Sequence, residues 1–504
     1  MDTTPFWMTT VEVSRFPQLS RDLEVDVLIV GGGICGVTAA HLLARAGQRV
    51  ALIEKERIGS GMTGHTTAHV TYVMDWLLTE LTQSFGRDHA QAAWDAGSFA
   101  MMQIEETVRE EGIDCELRKV PGYLCAALDG DPAKEAESLR DEALLAAELG
   151  FDATFVEAAP VFNRPGVRFA NQLKFHPMKY LTALAQRAEA AGALLFEGTP
   201  AGEFSSSPLG VKANGFTIRC ERMILATHVP LQGAHNVPSA ALLQTKLAAY
   251  STYAIGARIP VGALPEALFW DTADPYRYLR VERRDGHDYA IYGGADHKTG
   301  QEENTDTCFF GLGDELRALC PDAVVDCRWS GQVFEPVDGL PYYGETAKGQ
   351  FVATGFAGNG MTFGTLGGYM ARDWVLGLTN PWSDLFSVDR KKLSALWDYL
   401  KENSDYPYYL IKQRLTAPEA TNVQEVAREQ GKIVQLGGKK VAVYRDNTGK
   451  VITLSPVCPH MGCIVAWNRA EKTWDCPCHG SRFHCTGEVL AGPAETALAT
   501  QQTE

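Results

Sequence analysis

Two short stretches near the end of the 504-residue chain carry metal-binding residue types at close spacing. The first contains Cys458 and His460, and the second contains Cys476 and His479, so each stretch offers one thiolate and one imidazole. Four such ligands could hold a single tetrahedral zinc ion. They could also hold two adjacent metal ions, with both cysteines on one ion and both histidines on the other.

Neighbouring residues favour the two-metal arrangement over zinc. Cys463 and Cys478 lie in the same stretches and are surplus to a four-coordinate zinc site. Gly462, Gly480 and Ser481 bring backbone and hydroxyl groups that could donate hydrogen bonds to inorganic sulfide. The remaining cysteines are mostly scattered singly, which predicts one local metal site rather than a disulfide framework.

This pattern resembles the Rieske 2Fe-2S domain, especially the kind found in cytochrome bc complexes. Both loop motifs of that domain are present, C-x-H-x-G-C at 458–463 and C-P-C-H-G-S at 476–481. The resemblance covers about residues 420–504, where short strands alternate with turns such as Gly437-Gly438.

The resemblance implies a role for each cysteine and histidine of the two loops. It implies one iron bound by two cysteines, a second iron bound by two histidines, and a disulfide between the loops; these pairs are Cys458 with Cys476, His460 with His479, and Cys463 with Cys478. Histidine ligands raise the potential of such a cluster above that of a four-cysteine cluster, so it could accept electrons from a reduced flavin.

A glycine-rich turn near the N-terminus predicts a dinucleotide site. Asp26–Val30 is an apolar run suited to a buried parallel strand, and Val37–Ala46 has a helical pattern. Between them, Gly31, Gly33 and Gly36 have the G-x-G-x-x-G spacing. These glycines allow a tight turn, close approach of a pyrophosphate and close packing of helix on strand, and the N–H groups that begin the helix could bind the phosphates.

The segment after this helix completes the dinucleotide motif. Arg49–Ile53 predicts the next strand, and Glu54 at its end could accept hydrogen bonds from a ribose diol. The loop Gly59–Thr71 is rich in glycine and hydroxyl groups and would let a large planar ring lie close to the backbone. Thr63 and Thr67 are the candidate cofactor contacts in this loop.

A later segment repeats the order of strand, glycine turn and helix. Phe351–Thr354 predicts the strand, and the candidate cofactor contacts of the turn are Gly358, Gly360, Met361 and Thr362. No acidic residue ends a following strand, so we interpret this helix N-terminus as directed at a flavin ring. Its dipole would stabilise the negative charge of a reduced flavin.

Together these segments resemble the FAD-dependent oxidoreductases of the D-amino acid oxidase type, which include glycine and sarcosine oxidases and gamma-glutamylputrescine oxidase. Two further stretches match in order, RMILATH at 222–228 and RWSGQVFEPVDGLPYYG at 328–344. The first resembles the Ala-Thr turn where the chain returns to the FAD domain, so Ala226 and Thr227 are candidate FAD contacts. His228 departs from the family pattern, which often has glycine at this position.

The predicted fold class is an α/β Rossmann-like FAD-binding domain with an inserted α+β antiparallel-sheet substrate domain, plus a small all-β C-terminal Rieske domain. The predicted units are an N-terminal extension (1–24), an FAD-dependent oxidoreductase domain (25–378), a helical segment and linker (379–419) and the Rieske domain (420–504). Within the oxidoreductase domain, the FAD-binding parts cover about 25–75, 170–234 and 326–378, and the substrate-domain inserts cover about 75–170 and 235–325.

The second insert contains a candidate for substrate binding. If Tyr276–Val281 is a strand, Tyr276, Tyr278 and Arg280 lie on one of its faces. Two phenols and a guanidinium could bind a carboxylate above the flavin, because arginine recognises carboxylates in bidentate fashion. An amphipathic strand with a solvated polar side would give the same pattern.

The two resemblances together predict a dehydrogenase that oxidises a small amine or amino acid. The flavin would take a hydride from a C–H bond next to nitrogen and pass electrons one at a time to the Rieske cluster and an external acceptor. This substrate class follows from family resemblance alone, and no side chain is named as a catalytic base. Two alternatives remain, a reversed flow in which the Rieske centre reduces the flavin, and a non-enzymatic electron-transfer or redox-sensing protein.

Composition narrows the partners that we expect. The net charge of -16 argues against a nucleic-acid partner. No apolar run is long enough for a transmembrane helix. The N-terminus lacks a basic start followed by an apolar core, so we expect no signal peptide and a cytoplasmic location.

Overall fold

A computed structural model describes residues 3–12, 14–230, 243–390, 408–409, 412, 414 and 416–501. Several predicted units fall partly outside these residues: the N-terminal extension, the region 231–242 between an FAD-binding part and the second insert, much of the segment 379–419, and residues 502–504.

The regular elements follow one another along the described residues. In chain order the strands are β1 (Leu23–Val30), β2 (Val50–Ile53), β3 (His69–Val70), β4 (Arg118–Cys125), β5 (Ala153–Val156), β6 (Gly166–Lys174), β7 (Leu194–Phe196), β8 (Phe204–Ser206), β9 (Leu209–Ala213), β10 (Phe216–Leu225), β11 (Leu247–Ile259), β12 (Leu268–Asp271), β13 (Tyr278–Arg283), β14 (Asp288–Lys298), β15 (Val324–Pro336), β16 (Tyr342–Ala347), β17 (Gln350–Thr354), β18 (Gln430–Leu436), β19 (Lys439–Arg445), β20 (Val451–Leu454), β21 (Ala466–Asn468), β22 (Thr473–Asp475), β23 (Arg482–His484) and β24 (Val489–Ala491). The α-helices are α1 (Phe6–Thr9), α2 (Ile34–Arg45), α3 (Met62–His65), α4 (Leu78–Phe85), α5 (Arg87–Glu111), α6 (Pro132–Glu148), α7 (Pro177–Ala190), α8 (Asp306–Leu319) and α9 (Gly360–Leu376), and a 3₁₀ turn covers Val423–Glu425.

The first sheet has eight strands and a parallel centre. Its order is β16-β17-β10-β1-β2-β7, with β9 and β8 continuing from β10. The five strands from β17 to β7 are parallel. Val27, Leu28 and Ile29 in β1 are fully buried, as expected for a parallel strand that is covered on both faces.

Small residues bring the two glycine-rich helices together beside this sheet. A Cβ atom on Gly36 would collide with the carbonyl oxygen of Gly31, so only glycine allows α2 to begin this close to the turn. A Cβ atom on Gly364 in α9 would lie 2.6 Å from Cγ2 of Ile34, the first residue of α2. The N-terminal ends of α2 and α9 therefore lie side by side.

The second sheet is largely antiparallel and has nine strands. Its order is β15-β11-β14-β13-β12-β4-β6-β3, with β5 paired to β6. Only β12 and β4 pair in parallel within this sheet. The sheet extends beyond the predicted inserts, because β6 and β15 continue into residues that the sequence assigned to FAD-binding parts.

The C-terminal region folds into two small antiparallel sheets. One has the order β18-β19-β20 and the other β21-β22-β23-β24. Trp474 and Phe483 are fully buried in the core that supports the two cysteine- and histidine-containing loops. The predicted fold class is confirmed. Within the described ranges, none of the helices combines the length and apolar character that crossing a bilayer requires.

The strand proposed for substrate binding begins later than predicted. β13 starts at Tyr278, so Tyr276 lies in the preceding connection. The side chain of Asp271 accepts a hydrogen bond from the backbone N–H of Arg277 at 2.7 Å, and the N–H of Asp271 donates to the carbonyl of Arg277 at 3.0 Å. These bonds close a loop from 271 to 277 and keep Tyr276 out of the ladder.

Arg280 in β13 is buried in the protein interior. Its guanidinium donates to the carbonyl oxygen of Phe175 at 2.7 Å and also to the carbonyl of Ala68 and the carboxylate of Glu282. Glu282 also pairs with Lys174 at 3.1 Å. Arg280 therefore joins the antiparallel sheet to the segments around 68 and 175.

We expect replacement of Arg280 by methionine to destabilise the protein by about 3–5 kcal/mol, because it leaves buried acceptors without their charged donor. The measurement is the urea midpoint of the purified protein. Arg87→Met is the matched control, since Arg87 and Glu148 form an exposed pair whose loss costs about 0–1 kcal/mol. Equal midpoints for the two variants would contradict a structural role for Arg280.

Candidate functional site

The two cysteine- and histidine-containing loops fold in the same way. In both 458–463 and 476–481, the N–H of the first residue donates to the carbonyl of the sixth, at 2.8 and 2.7 Å respectively. The N–H of the fifth residue, a glycine, donates to the carbonyl of the first at 3.0 Å in each loop. Both glycines have positive φ, 79° and 73°, which explains the glycine at the fifth position of each motif.

The thiols of the two loops meet in the core. Cys458 and Cys476 are each 1% exposed. The thiol of Cys476 hydrogen-bonds the sulfur of Cys458, which lowers the pKa of Cys458 to about 7 and raises the pKa of Cys476. The hydroxyl of Ser481 also bonds to the sulfur of Cys458. The two sulfur atoms therefore lie within hydrogen-bonding distance of each other, which fits two cysteines that bind one metal ion.

The imidazoles of the two loops lie beside each other. The rings of His460 and His479 are 4.9 Å apart between centroids and nearly perpendicular. The amide of Gln244 donates to the carbonyl of Pro230 at 2.7 Å, so its oxygen accepts from Nε2 of His460 at 3.1 Å. This places the proton of His460 on Nε2 and leaves Nδ1 as the bare nitrogen. Nδ1 is buried and has no hydrogen-bond partner among the described residues, which fits a metal-binding atom.

A disulfide joins the two loops. Cys463 and Cys478 are bonded, with their Cα atoms 6.5 Å apart. The sulfur of Cys476 lies within 4.8 Å of both of these sulfurs. Because Cys463 and Cys478 are linked to each other, they are not metal ligands. The thiols of Cys458 and Cys476 remain for that role, which fits a cluster with two sulfur and two nitrogen ligands.

The second loop packs against the edge of the antiparallel sheet. A Cβ atom on Gly480 would collide with Cβ of Ala249 in β11. The side chain of Gln332 in β15 donates to the carbonyl of Gly480 at 2.7 Å. Farther along the contact, the hydroxyl of Thr305 donates to Asn468 at 2.9 Å. The C-terminal region is therefore docked on the N-terminal one by hydrogen bonds.

Glu54 stands at the end of β2, beside the glycine turn. One carboxylate oxygen accepts the backbone N–H of Gly32 at 2.8 Å and the other accepts that of Glu56 at 3.0 Å. Burial raises the pKa of Glu54, and these backbone bonds oppose the rise. Each oxygen keeps a lone pair for a ribose hydroxyl, so the geometry fits the predicted role.

The start of α2 also fits the binding of a phosphate. The N-cap residue is Gly33, which has no side chain to cap the helix, so the first N–H groups are not occupied by a capping side chain of that residue. The hydroxyl oxygen of Thr63 accepts the N–H of Ile34 at 3.1 Å, which holds the loop 59–71 against the helix. The remaining N–H groups of the first turn carry the positive end of the helix dipole.

The start of α9 has similar open geometry. A Cβ atom on Gly360 would meet no atom within 4 Å, and the N-cap Asn359 makes no side-chain cap to the helix. Met361 and Thr362 are buried, and the hydroxyl of Thr362 donates to the carbonyl of Thr71 at 2.9 Å. This bond ties the second glycine turn to the loop that follows Glu54.

The turn after β10 shows why histidine, rather than glycine, can occupy position 228. The N–H of Ala226 donates to the carbonyl of Val30 at 2.8 Å, and the hydroxyl of Thr227 donates to the carbonyl of Val229 at 2.7 Å. His228 has φ of 67°, a conformation that favours glycine. Its ring bonds to the carbonyl of Gln332 at 3.0 Å, and this bond supports a residue with a side chain at the position.

The side chains of Tyr276 and Tyr278 lie next to each other. Arg280 lies apart from them and contacts the backbone of Thr67. The two phenol rings are 5.6 Å apart between centroids. The phenol oxygen of Tyr276 faces the second glycine turn, 3.0 Å from the position of a Cβ atom on Gly358. Thr67 accepts from Arg280 through its carbonyl oxygen at 3.3 Å.

Comparison with known proteins identifies both parts of the chain. The family model described as FAD dependent oxidoreductase matches residues 26–374, more than half of the chain, and the Rieske [2Fe-2S] domain matches residues 417–502. The chain belongs to the FAD-dependent oxidoreductase family. It carries a Rieske domain at its C-terminal end, and its cofactors are FAD and a Rieske 2Fe-2S cluster.

Some similar proteins match nearly the whole of this oxidoreductase, and others match only one of its two parts. YhfW of Bacillus subtilis (strain 168), named as a Rieske 2Fe-2S iron-sulfur protein, is 31% identical over 97% of this chain and 96% of its own length. Glycine oxidase from Geobacillus kaustophilus has the same fold at a TM-score of 0.62 and 22% identity, covering 73% of this chain and 99% of that one. The cytochrome b6-f complex iron-sulfur subunit 1 of Nostoc is 52% identical over 46 residues, which cover 9% of this chain and 26% of that protein.

Sequence reasoning missed the residues that reach the oxidoreductase site from distant elements. Gln244 and Gln332 hold the cluster loops, and Asp75 lies beside Gly358. Gln244 and Asp75 belong to no motif of fixed spacing. Gln332 lies in the stretch 328–344, but that motif indicates the FAD domain and carries no signal for a contact with a cluster loop.

We expect Gln244→Leu to raise the reduction potential of the cluster, because a carbonyl acceptor on the far nitrogen makes an imidazole ligand more basic. The measurement is a redox titration followed by EPR. Gln301→Leu is the matched control, since Gln301 bonds to the backbone carbonyl of Pro477 in the second cluster loop at 3.1 Å. A potential that moves equally in both variants would show that Gln244 acts only through docking.

Proposed function

We propose that this oxidoreductase oxidises a small amine or amino acid by hydride transfer to FAD and passes the electrons one at a time through its own Rieske cluster to an external acceptor. The fold that it shares with glycine oxidase supports an amine as the substrate. Its own Rieske domain supports a dehydrogenase, because the cluster offers the electrons a route other than oxygen.

The two cofactors would be bound by the residues described above. FAD would be held by Gly31, Gly33, Gly36, Glu54, Thr63, Thr67, Ala226, Thr227, Gly358, Gly360, Met361 and Thr362. The cluster would be bound by Cys458 and Cys476 on one iron and by His460 and His479 on the other.

The observation that carries the proposal is the position of Gln332. Its amide donates to the carbonyl of Gly480 in the second cluster loop at 2.7 Å, and its backbone carbonyl accepts from the ring of His228 at 3.0 Å. His228 follows Ala226 and Thr227 directly. One residue therefore contacts both the cluster loop and the turn proposed to bind FAD, which supports electron transfer within one chain.

The chemistry divides between the cofactors and the chain. When bound, FAD supplies an acceptor for two electrons and the cluster supplies a carrier for one. The substrate loses a hydride from the carbon and a proton from the nitrogen. The imine then takes up water to give a carbonyl compound and ammonia, or an amine where the substrate is a secondary amine. The chain binds the substrate, keeps the reacting C–H bond beside the start of α9 and excludes bulk water from this place.

The phenols of Tyr276 and Tyr278 are better placed to contact a substrate than the guanidinium of Arg280. Tyr276 reaches the turn at Gly358, and Tyr278 donates to the carbonyl of Tyr253 at 3.2 Å. The donors of Arg280 are directed to interior acceptors, including the carbonyl of Phe175. Binding of a substrate carboxylate by Arg280 would require these bonds to break.

We expect Cys476→Ser to lose the cluster but to keep substrate-dependent bleaching of the flavin under anaerobic conditions. Turnover with a one-electron acceptor should fall to background, because electrons have no route from the flavin. Stopped-flow absorbance and EPR measure the two steps. Cys485→Ser is the matched control, since Cys485 is buried beside the loops and hydrogen-bonds to Tyr444.

Two results would contradict the proposal. If no amine or amino acid bleaches the flavin of the intact protein, the proposed reaction is wrong. If the cluster of the intact protein is reduced before the flavin when an external donor is added, and the flavin follows, electrons flow in the reverse direction.

A further inference from the structure

Two carboxylates and two phenols surround one place beside the second glycine turn. A Cβ atom on Gly358 would lie 3.0 Å from the phenol oxygen of Tyr276 and 3.5 Å from a carboxylate oxygen of Asp75. Asp296 and Tyr278 act on these groups electrostatically. We call these four residues, Asp75, Tyr276, Tyr278 and Asp296, the acidic recess.

The ionised forms of the recess side chains are disfavoured. Burial raises the pKa of Asp75 to about 7, and the charge of Asp296 adds to the rise. Burial also raises the pKa of Asp296 to about 7. The pKa of Tyr276 is raised by burial and then by Asp75, Asp296, Tyr278 and Glu335. The charge of Asp296 therefore disfavours ionisation of Asp75, and both anions disfavour ionisation of Tyr276.

The recess is open to solvent on one side. Asp75 is exposed, and Tyr276 and Asp296 are partly exposed. One oxygen of Asp296, Oδ1, is buried and has no hydrogen-bond partner among the described residues. A buried carboxylate oxygen without a donor calls for a ligand that supplies one.

In the described part of the chain, the guanidinium that acts on Asp296 is already paired with another carboxylate. Arg277 lowers the pKa of Asp296, but its guanidinium pairs with both oxygens of Glu315, at 2.7 and 3.0 Å. Asp274 repels Asp296, and Thr252 hydrogen-bonds to it. Arg280 is directed to interior acceptors, as described above.

We propose that the acidic recess selects a substrate by its positive charge, so that the substrate is an amine that carries a further cationic group and has no carboxylate next to the reacting carbon. This inference rests on the proposed function and names the substrate class of the same site. An ammonium group between Asp75 and Asp296 restores the charge balance and supplies the missing donor. A carboxylate in the same place meets two anions and no available guanidinium.

Because the acidic recess lies beside Gly358, a substrate bound there by its positive charge also lies near the start of α9, where we propose that oxidation occurs. A diamine held by one ammonium group at the carboxylates presents its other nitrogen, and the carbon next to it, toward the start of α9. An amino acid such as glycine has its carboxylate on the reacting carbon and would bring that charge into the recess. The recess therefore favours 1,4-diaminobutane over glycine.

Binding of an unreactive cation to the oxidised, FAD-bound protein tests the charge selection. We expect tetramethylammonium to bind in calorimetry and to perturb the flavin absorbance, and acetate to do neither. Asp75→Asn and Asp296→Asn should each weaken tetramethylammonium binding by about tenfold or more, the change that about 1.4 kcal/mol produces. Asp285→Asn, in the exposed turn between β13 and β14, should leave it unchanged.

The pH dependence of this binding gives a second readout. Tetramethylammonium keeps its charge at every pH, so its affinity should rise as the pH increases through about 7 and the two carboxylates ionise. An affinity that is constant between pH 5 and 9, or equal binding of acetate, would overturn the inference.

Anaerobic bleaching separates this inference from the proposed function. We expect 1,4-diaminobutane to bleach the flavin and glycine to fail. If glycine or another small amino acid bleaches it and 1,4-diaminobutane does not, the charge selection is wrong and the proposed reaction stands. If tetramethylammonium binds as expected but no amine bleaches the flavin, the cation site stands and the proposed reaction is wrong.

Discussion

The contact between the second cluster loop and the antiparallel sheet is the constraint on which the rest of the structure depends. Gly480 has no side chain, so the loop backbone can lie against Ala249, and Gln332 fixes it with one hydrogen bond. Hydrogen bonds of Gln244, Gln301 and Thr305 add to this contact and hold the cluster-bearing region on the rest of the chain. With these contacts, packed protein sets the distance between the two sites, so the electron transfer that we propose would need no diffusive search.

The motifs that the sequence predicted are those whose chemistry is local. Gly31, Gly33 and Gly36 must follow one another in one turn, and each cluster loop needs its cysteine, histidine and glycine within six residues. Such spacing can be recognised in the sequence because all of these residues belong to one local turn of the backbone. The predicted fold class followed from these motifs, since a dinucleotide turn and a pair of Rieske loops each require a particular arrangement of strands.

Residues that converge from distant elements could not be found in this way. Gln244 meets His460 across 216 positions of sequence, and its amide has no local pattern. Alternation in β13 correctly placed Tyr278 and Arg280 on one face, but alternation does not show whether that face meets solvent, a cavity or another segment. The structure gives a different surrounding to each residue, because Tyr278 borders the acidic recess while Arg280 is enclosed by carbonyl oxygens.

Gly480 also couples the shape of the second cluster loop to its docking. The positive φ of this residue, 73°, belongs to the turn of the loop, and the same missing side chain lets the loop lie against Ala249. A side chain at position 480 would therefore disturb the turn and the contact between the two lobes together.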